Sequence, residues 1–210
     1  MDPKAHWESV YSTKSPTAVS WFQPEARLSL DLITAVAADR AARILDVGGG
    51  ASRLVDGLLD AGYSQVTVLD IAEPALRHAR TRLGERAVRV TWRAADILAT
   101  EFAPGSVDVW HDRAVFHFLT EPHARRRYVG QVRRALSPAG IVIVATFADD
   151  GPLRCSGLDV ARYSAEGLHG EFGDDFQLLR SEREEHRTPS GAVQAFTYCL
   201  CRGPGRSPQR

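Results

Sequence analysis

The segment Ile44-Leu45-Asp46-Val47-Gly48-Gly49-Gly50-Ala51-Ser52-Arg53 joins an apolar run to an amphipathic one through three consecutive glycines. Glycines after a first strand let backbone N–H groups approach a ligand at the mouth of a helix. A dinucleotide site wants a small residue at the third position of its glycine fingerprint, and Arg53 stands there. Asp46, two residues before Gly48, would repel a pyrophosphate. It suits a cationic ligand, such as the amino group and sulfonium of S-adenosylmethionine (SAM). Asp70 closes the second apolar run, where a carboxylate accepts from ribose hydroxyls in nucleotide sites. Asp96 follows the third run, placed to accept from an adenine amino group, with Ile97 beside it as an apolar contact. The plainer alternative makes Asp46 and Asp70 helix caps and Asp96 a surface turn.

A second group follows the fourth apolar run: His111, Asp112 and Arg113, then His117 in Phe116-His117-Phe118-Leu119. At the carboxyl end of a strand these face the crevice of an α/β sheet. A histidine titrating near neutrality there could act as a general base. Equally, His117 could be a buried structural imidazole, and Asp112 and Arg113 an ion pair. The seven histidines show no HxxxH spacing and the three cysteines no CxxC, so no metal site is expected.

The elements that must position these groups alternate. Apolar runs at Ile44–Val47, Val66–Leu69, Val88–Trp92, Val107–Trp110 and Ile141–Val144 read as strands. Helical spacing predicts helices over 51–61, ended by Gly62, over 73–84, with Pro74 in its first turn, and over 121–136. Leu28, Leu32, Ile33 and Val36 mark an earlier amphipathic stretch behind an aromatic-rich opening, Trp7 to Phe22. In the 121–136 helix, arginines 125, 126, 127, 133 and 134 read as a solvated face. Residues 176–184 and 192–201, joined through Thr188-Pro189-Ser190-Gly191, allow only an antiparallel hairpin.

The 210 residues carry 26 basic and 26 acidic side chains, so no basic excess points to nucleic acid. Only Lys4 and Lys14 are lysines; the other basic residues are arginines. No stretch approaches the length of a bilayer span, and the polar start lacks a signal-peptide core. Cys155, Cys199 and Cys201 are odd in number, which points to a reducing, cytoplasmic setting.

Taken together, the chain from about Trp7 to Cys201 resembles the class I SAM-dependent methyltransferases of the seven-stranded Rossmann-like kind. Asp46-Val47-Gly48-Gly49-Gly50 matches that family's first motif, Asp70 its ribose acid and Asp96-Ile97 its adenine pair. Val107–Arg113 with Phe116–Leu119 matches the strand-four segment lining the transfer site. Pro138-Ala139-Gly140 stands where the family usually has Pro-Gly-Gly, and Ser52 where many members have a third glycine.

The resemblance implies an α/β, doubly wound, mostly parallel seven-stranded sheet with helices on both faces and a C-terminal antiparallel hairpin. It implies one domain over 1–201: an N-terminal lid (1–40), a cofactor core (41–149), a substrate loop with the hairpin (150–201), and a disordered tail from 202. Asp46, Gly48, Gly49, Gly50, Asp70, Ile71, Asp96, Ile97, His111 and Trp21 would hold SAM. His111, Asp112, Arg113 and His117 become catalytic candidates; Phe22, Arg113, Arg154 and Cys155 become acceptor contacts. Arg154 would meet an anionic acceptor, in a segment 151–157 that reads as long and irregular. The expected acceptor is a small molecule. A protein lysine is the first alternative, and an NAD-dependent oxidoreductase or a non-catalytic SAM-binding module are remoter ones. Oligomeric state leaves no trace in the sequence.

Overall fold

In the computed structural model, which describes residues 2–205, the apolar runs become strands of one sheet. β1 (Arg43–Val47), β2 (Gln65–Asp70), β3 (Val90–Ala94), β4 (Val107–Arg113) and β5 (Leu136–Phe147) run parallel. β6 (Arg154–Cys155) and β7 (Leu158–Asp159) form a separate small hairpin. β8 (Gln177–Arg187) and β9 (Val193–Arg202) pair antiparallel, and β9 inserts antiparallel beside β5. The order is β3-β2-β1-β4-β5-β9-β8, so the chain reverses direction across the sheet between β1 and β4. A crevice opens at the strands' carboxyl ends at such a switch point. The seven-stranded, mostly parallel arrangement with a terminal antiparallel pair is the one expected.

Among the described residues six α-helices accompany the sheet: α1 (Pro3–Thr13), α2 (Arg27–Val36), α3 (Leu54–Asp60), α4 (Glu73–Leu83), α5 (Pro122–Ala135) and α6 (Ala165–Phe172). The Asp2 carboxylate accepts from Lys4 N–H at 3.0 Å and caps α1. In α4, Glu73 sits in the first turn and Arg80 and Arg82 in the last, complementing the helix dipole, and Gly84 ends it at φ 57. Alternation along the strands splits the core in two. Ile44, Val68, Val109 and Ile143 pack against α2, α3 and α4, whereas Leu45, Trp110, Val142 and Val144 pack against α5 and α6. No described helix is long and apolar enough to cross a membrane. All three cysteines are buried and unbridged.

The boundaries differ from expectation where glycines and turns intervene. The helix expected from residue 51 begins at Leu54, because residues 51–53 remain in the glycine loop. Val88 is 89% exposed in a 3₁₀ turn over Gly84–Arg89, so the third strand begins at Val90 instead. The helix ending at 136 stops at Ala135, and Leu136 already pairs with Val107 in β5. The segment expected to be irregular folds as the β6–β7 hairpin, with Ser156 and Gly157 both at positive φ (52° and 80°), the geometry of a two-residue hairpin turn. Arg202 completes β9 and Gly203 N–H donates to Gly140 O, so these two residues are not part of the disordered tail expected from 202; residues 206–210 of that expectation lie outside the described ones.

Ala139, in the place of the absent glycine, takes φ 59. A side chain in the left-handed region costs roughly 1 kcal/mol, partly offset because glycine loses more freedom on folding. Ala139→Gly should therefore raise stability by roughly 0.5 kcal/mol, read as a small increase in the urea midpoint at unchanged slope. A lowered midpoint would contradict this account of the turn.

Candidate active site

β1 and β2 end side by side, with Asp46 opposite Val68 and Val47 opposite Leu69. The glycine turn folds back over the two acids. A Cβ on Gly49 would stand 2.4 Å from Asp46 Oδ2, and one on Gly50 would stand 2.6 Å from Asp70 Oδ2. Gly48 (φ 66) would bring a Cβ within 2.0 Å of the Val115 side chain. All three positions therefore exclude side chains for steric reasons.

Asp46 is 3% exposed, and its Oδ1 lies 2.8 Å from His111 Nδ1. Against a carboxylate that nitrogen donates, which leaves Nε2 to pair with Ser29 Oγ at 2.9 Å on α2. Asp46 Oδ2 is buried and has no hydrogen-bond partner among the described residues. Asp70 accepts from Ala72 N–H at 2.8 Å. Burial, with the nearby Asp46 charge adding to it, pushes the Asp70 carboxyl up to about 7. Asp96 is exposed and accepts from Leu98 N–H at 2.8 Å, while Ile97 is buried beside it.

Two adjoining cavities follow this row of acids. One, of about 50 Å³, is walled by Asp46, Gly49, Ser52, His111, Ser29, Phe22 and Gln23. The other, of about 210 Å³, is walled by Asp70, Ile71, Asp96, Ile97, Trp7, Phe118 and Cys155. Tyr11, Trp21, Val47, Gly48 and Arg113 belong to both walls, so the two spaces meet at the glycine turn. Aromatic rings roof the junction. Trp7 meets Trp21 edge-on at 5.5 Å and Phe118 at 5.1 Å, and Trp21 Nε1 donates to Tyr11 Oη at 3.0 Å. Burial, reinforced by the Asp70 charge, holds the Tyr11 phenol far above its ordinary range.

Strand alternation divides the β4 residues. His111 and Arg113 face the cleft, whereas Asp112 faces α5 and lines neither cavity. Its carboxylate accepts from Tyr128 Oη at 2.5 Å and from Val115 and Phe116 N–H, and Trp110 Nε1 donates to Tyr128 Oη at 2.8 Å. Burial raises the Asp112 carboxyl to about 6. This carboxylate shapes the turn that carries Ala114, at φ 72, into the cavity wall. The Asp112–Arg113 ion pair, the plainer alternative for these two residues, does not form, since the two side chains leave opposite faces of the strand. Arg113 pairs with Glu184 on β8 at 3.0 Å.

His117 is fully buried against Phe118 and Phe147, accepts only a long 3.4 Å contact from Phe147 N–H, and lies outside both cavity walls. Burial, then the Arg113 charge, pushes its imidazole down to about 3, far from the near-neutral titration expected of a base. Arg154 is exposed and paired with Asp159 at 2.7 Å within the small hairpin, away from both cavities, so it meets no acceptor there. Cys155 points into the larger cavity, its thiol raised to about 12 by burial. Trp21 lines both cavities and Phe22 the smaller one. Tyr11, Ser29, Gln23 and Glu184 were not anticipated as site residues. Only Tyr11 had a usable signal, lying one helical turn after Trp7 on the same face. Among the described residues no group of three or more His, Cys, Asp or Glu side chains converges as a metal site.

A family model described as a methyltransferase domain matches residues 44–140, from β1 into the start of β5. The eEF1A lysine and N-terminal methyltransferase of Danio rerio is 26% identical over 98% of this chain, which spans only 31% of that protein. The N-terminal Xaa-Pro-Lys N-methyltransferase 1 of Mus musculus is 28% identical over 74% of this chain and 70% of its own length. The 1,6-didemethyltoxoflavin-N1-methyltransferase of Burkholderia thailandensis, solved with its substrate and S-adenosylhomocysteine (SAH), superposes with a TM-score of 0.69. It is 21% identical, covering 96% of this chain and 87% of that one. Residues 44–140 thus match a methyltransferase domain, and the strand order and glycine turn give the chain the Rossmann-like fold of these methyltransferase neighbours.

Proposed function

We propose that this chain transfers the methyl group of SAM to a small-molecule acceptor held beneath α1, residues 21–23 and the β6–β7 hairpin. The observation that carries the reading is the row of carboxylates Asp46, Asp70 and Asp96 lining two adjoining cavities at a glycine turn that admits no side chain. A buried anionic oxygen is costly unless a cation or donor meets it, and the methionine ammonium of SAM is such a group. Asp70 with Ile71 then receives the ribose, and Asp96 with Ile97 the adenine. SAM supplies a methyl group already activated by its sulfonium.

What remains for the protein is alignment and exclusion of water. His111 fixes the Asp46 carboxylate and is itself fixed by Ser29, so it orients the cofactor site. Tyr11 and Cys155 stay protonated and both His111 nitrogens are engaged, so the cleft offers no free base at its junction. The acceptor therefore brings its own nucleophile. Of the segment expected as a lid, the part before α2 covers the cleft, with Trp7, Tyr11 and Trp21 closing the junction. The mainly apolar lining of the larger cavity favours a small acceptor. A protein amine is the second reading, favoured by the names of the relatives from fish and mouse.

Calorimetry should show micromolar binding of SAM and SAH and none of NAD; no binding of either sulfur compound would overturn the assignment. SAH release should appear with dialysable metabolites and not with the protein fraction or a peptide beginning Xaa-Pro-Lys. The opposite pattern would select the protein acceptor.

Asp70 gives a linked prediction. With its carboxyl raised to about 7, the native state binds a proton that the unfolded chain has already lost between pH 4 and 7. Its contribution to stability therefore falls as pH rises through that window. His117, held near 3, acts in the opposite sense below about pH 6.5, so the effect is read as a difference between two proteins. Asp70→Asn should match wild type at pH 5 and exceed it at pH 8 by roughly 1–3 kcal/mol without ligand. The same substitution should weaken SAH binding at least roughly tenfold at pH 8. Wild-type affinity should rise from pH 6 to pH 8 as Asp70 ionises, and a flat profile would remove Asp70 from the ribose site.

A further inference from the structure

Arg113 occupies the seam where the two cavities meet, and its side chain is 9% exposed. Its guanidinium lies over the Phe196 ring at 4.1 Å. Nε donates to Tyr198 Oη at 2.9 Å, and Nη2 donates to Glu184 Oε2 at 3.0 Å. Glu184 Oε1 meanwhile accepts from Gln23 Nε2 at 2.8 Å. One edge of the fork is thus fully engaged. Among the described residues nothing accepts from Nη1, and that nitrogen is not one of the fully enclosed unpartnered atoms, so it remains reachable from the cleft.

An arginine stays charged in any protein environment, and its planar fork matches carboxylate oxygens. A buried guanidinium with a free donor edge costs free energy until an oxygen meets it. Charge placement adds to this. Asp46, Asp70 and Asp96 supply the anions of the cleft, while among the described residues its walls hold one arginine and no lysine. Glu184 sits on the far edge and partly neutralises Arg113 without blocking Nη1.

We propose that Arg113 is the carboxylate receptor of this cleft, its Nη1 edge donating to a carboxylate oxygen of the bound reactants. This deepens the methyltransferase reading and rests on it. Two sources have the same chemistry: the methionine end of SAM, and an acidic acceptor. The anion contact anticipated for Arg154 thereby moves to Arg113, which faces the cleft.

The test titrates SAH, 5′-methylthioadenosine (the same nucleoside without an amino-acid end) and benzoate into wild type, Arg113→Lys and the double variant Arg113→Gln/Glu184→Gln. The double variant removes both charges together and leaves no unpaired carboxylate. If the methionine carboxylate is the source, SAH weakens at least roughly tenfold in both variants while 5′-methylthioadenosine is unchanged. If the acceptor is the source, SAH is unchanged, and benzoate binding to the wild-type SAH complex is lost in both variants. Unchanged SAH together with benzoate that binds all three proteins alike, or none, overturns the proposal. Should wild type bind neither SAH nor 5′-methylthioadenosine, the methyltransferase reading fails instead, and benzoate titrated into free wild type and variants still reports on Arg113.

Discussion

The close approach of a glycine backbone to two buried carboxylates governs the rest of this molecule. Asp46 and Asp70 end neighbouring parallel strands, and Gly49 and Gly50 lie so near their Oδ2 atoms that a single Cβ would collide. Both carboxylates are almost fully removed from water. Desolvation drives the Asp70 carboxyl to hold its proton up to about 7. The surroundings answer with a few directed donors: Ala72 N–H for Asp70, and His111 for one oxygen of Asp46. They leave the other Asp46 oxygen unmatched. The site thus concentrates negative charge beneath the glycine turn with few donors to match it.

Strand alternation then assigns tasks within three consecutive residues. His111 and Arg113 leave β4 towards the cleft, and Asp112 leaves it towards α5. The outward carboxylate, through Tyr128 and the amides of Val115 and Phe116, fixes the turn that follows the strand. That turn carries Ala114 at positive φ and Val115 into the cavity wall, and Val115 in turn forces Gly48 to lack a side chain. A carboxylate that touches no reactant therefore determines how two loops meet around the space where reactants would lie. The backbone strain at Ala114 is tolerated because hydrogen bonds on both sides over-determine it: Ala114 N–H donates to Ala145 O, and Asp112 holds the next two amides.

The parts legible in the sequence are those where one residue type has one physical reason to be present. The glycines, the acids at strand ends and the alternation of apolar runs carry the sheet and the row Asp46, Asp70, Asp96, because sterics and charge act locally there. Illegible were the partners reached only through folding. Nothing in Asp112-Arg113 says that one side chain will find Tyr128 and the other Glu184, 71 residues away. His117 has the chemistry of a base in the sequence and an environment that removes it, since burial is a tertiary property. Arg154 looked free until Ser156 and Gly157 made a hairpin that placed Asp159 opposite it.

The edge strand β8 shows why such long-range partners exist. Arg180, Arg183, Glu185 and Arg187 are exposed along it, and such charges discourage pairing with another chain, although Leu178 and Leu179 are exposed at its start. Two of its residues turn inward instead and tie the N-terminal segment to the sheet. Glu184 receives Gln23, and His186 Nε2 meets Ser20 O at 2.6 Å. Glu184 also holds Arg113 and accepts from Tyr198 Oη. One carboxylate thereby links the segment over the cleft, the cation in its wall and the last two strands. Any oxygen that engages Arg113 redistributes the load on that carboxylate, and so the hold on residues 20–23. The segment over the cleft and the cation in its wall are then joined in a single hydrogen-bond network, which is why the C-terminal hairpin has to be part of the fold that shapes this cleft.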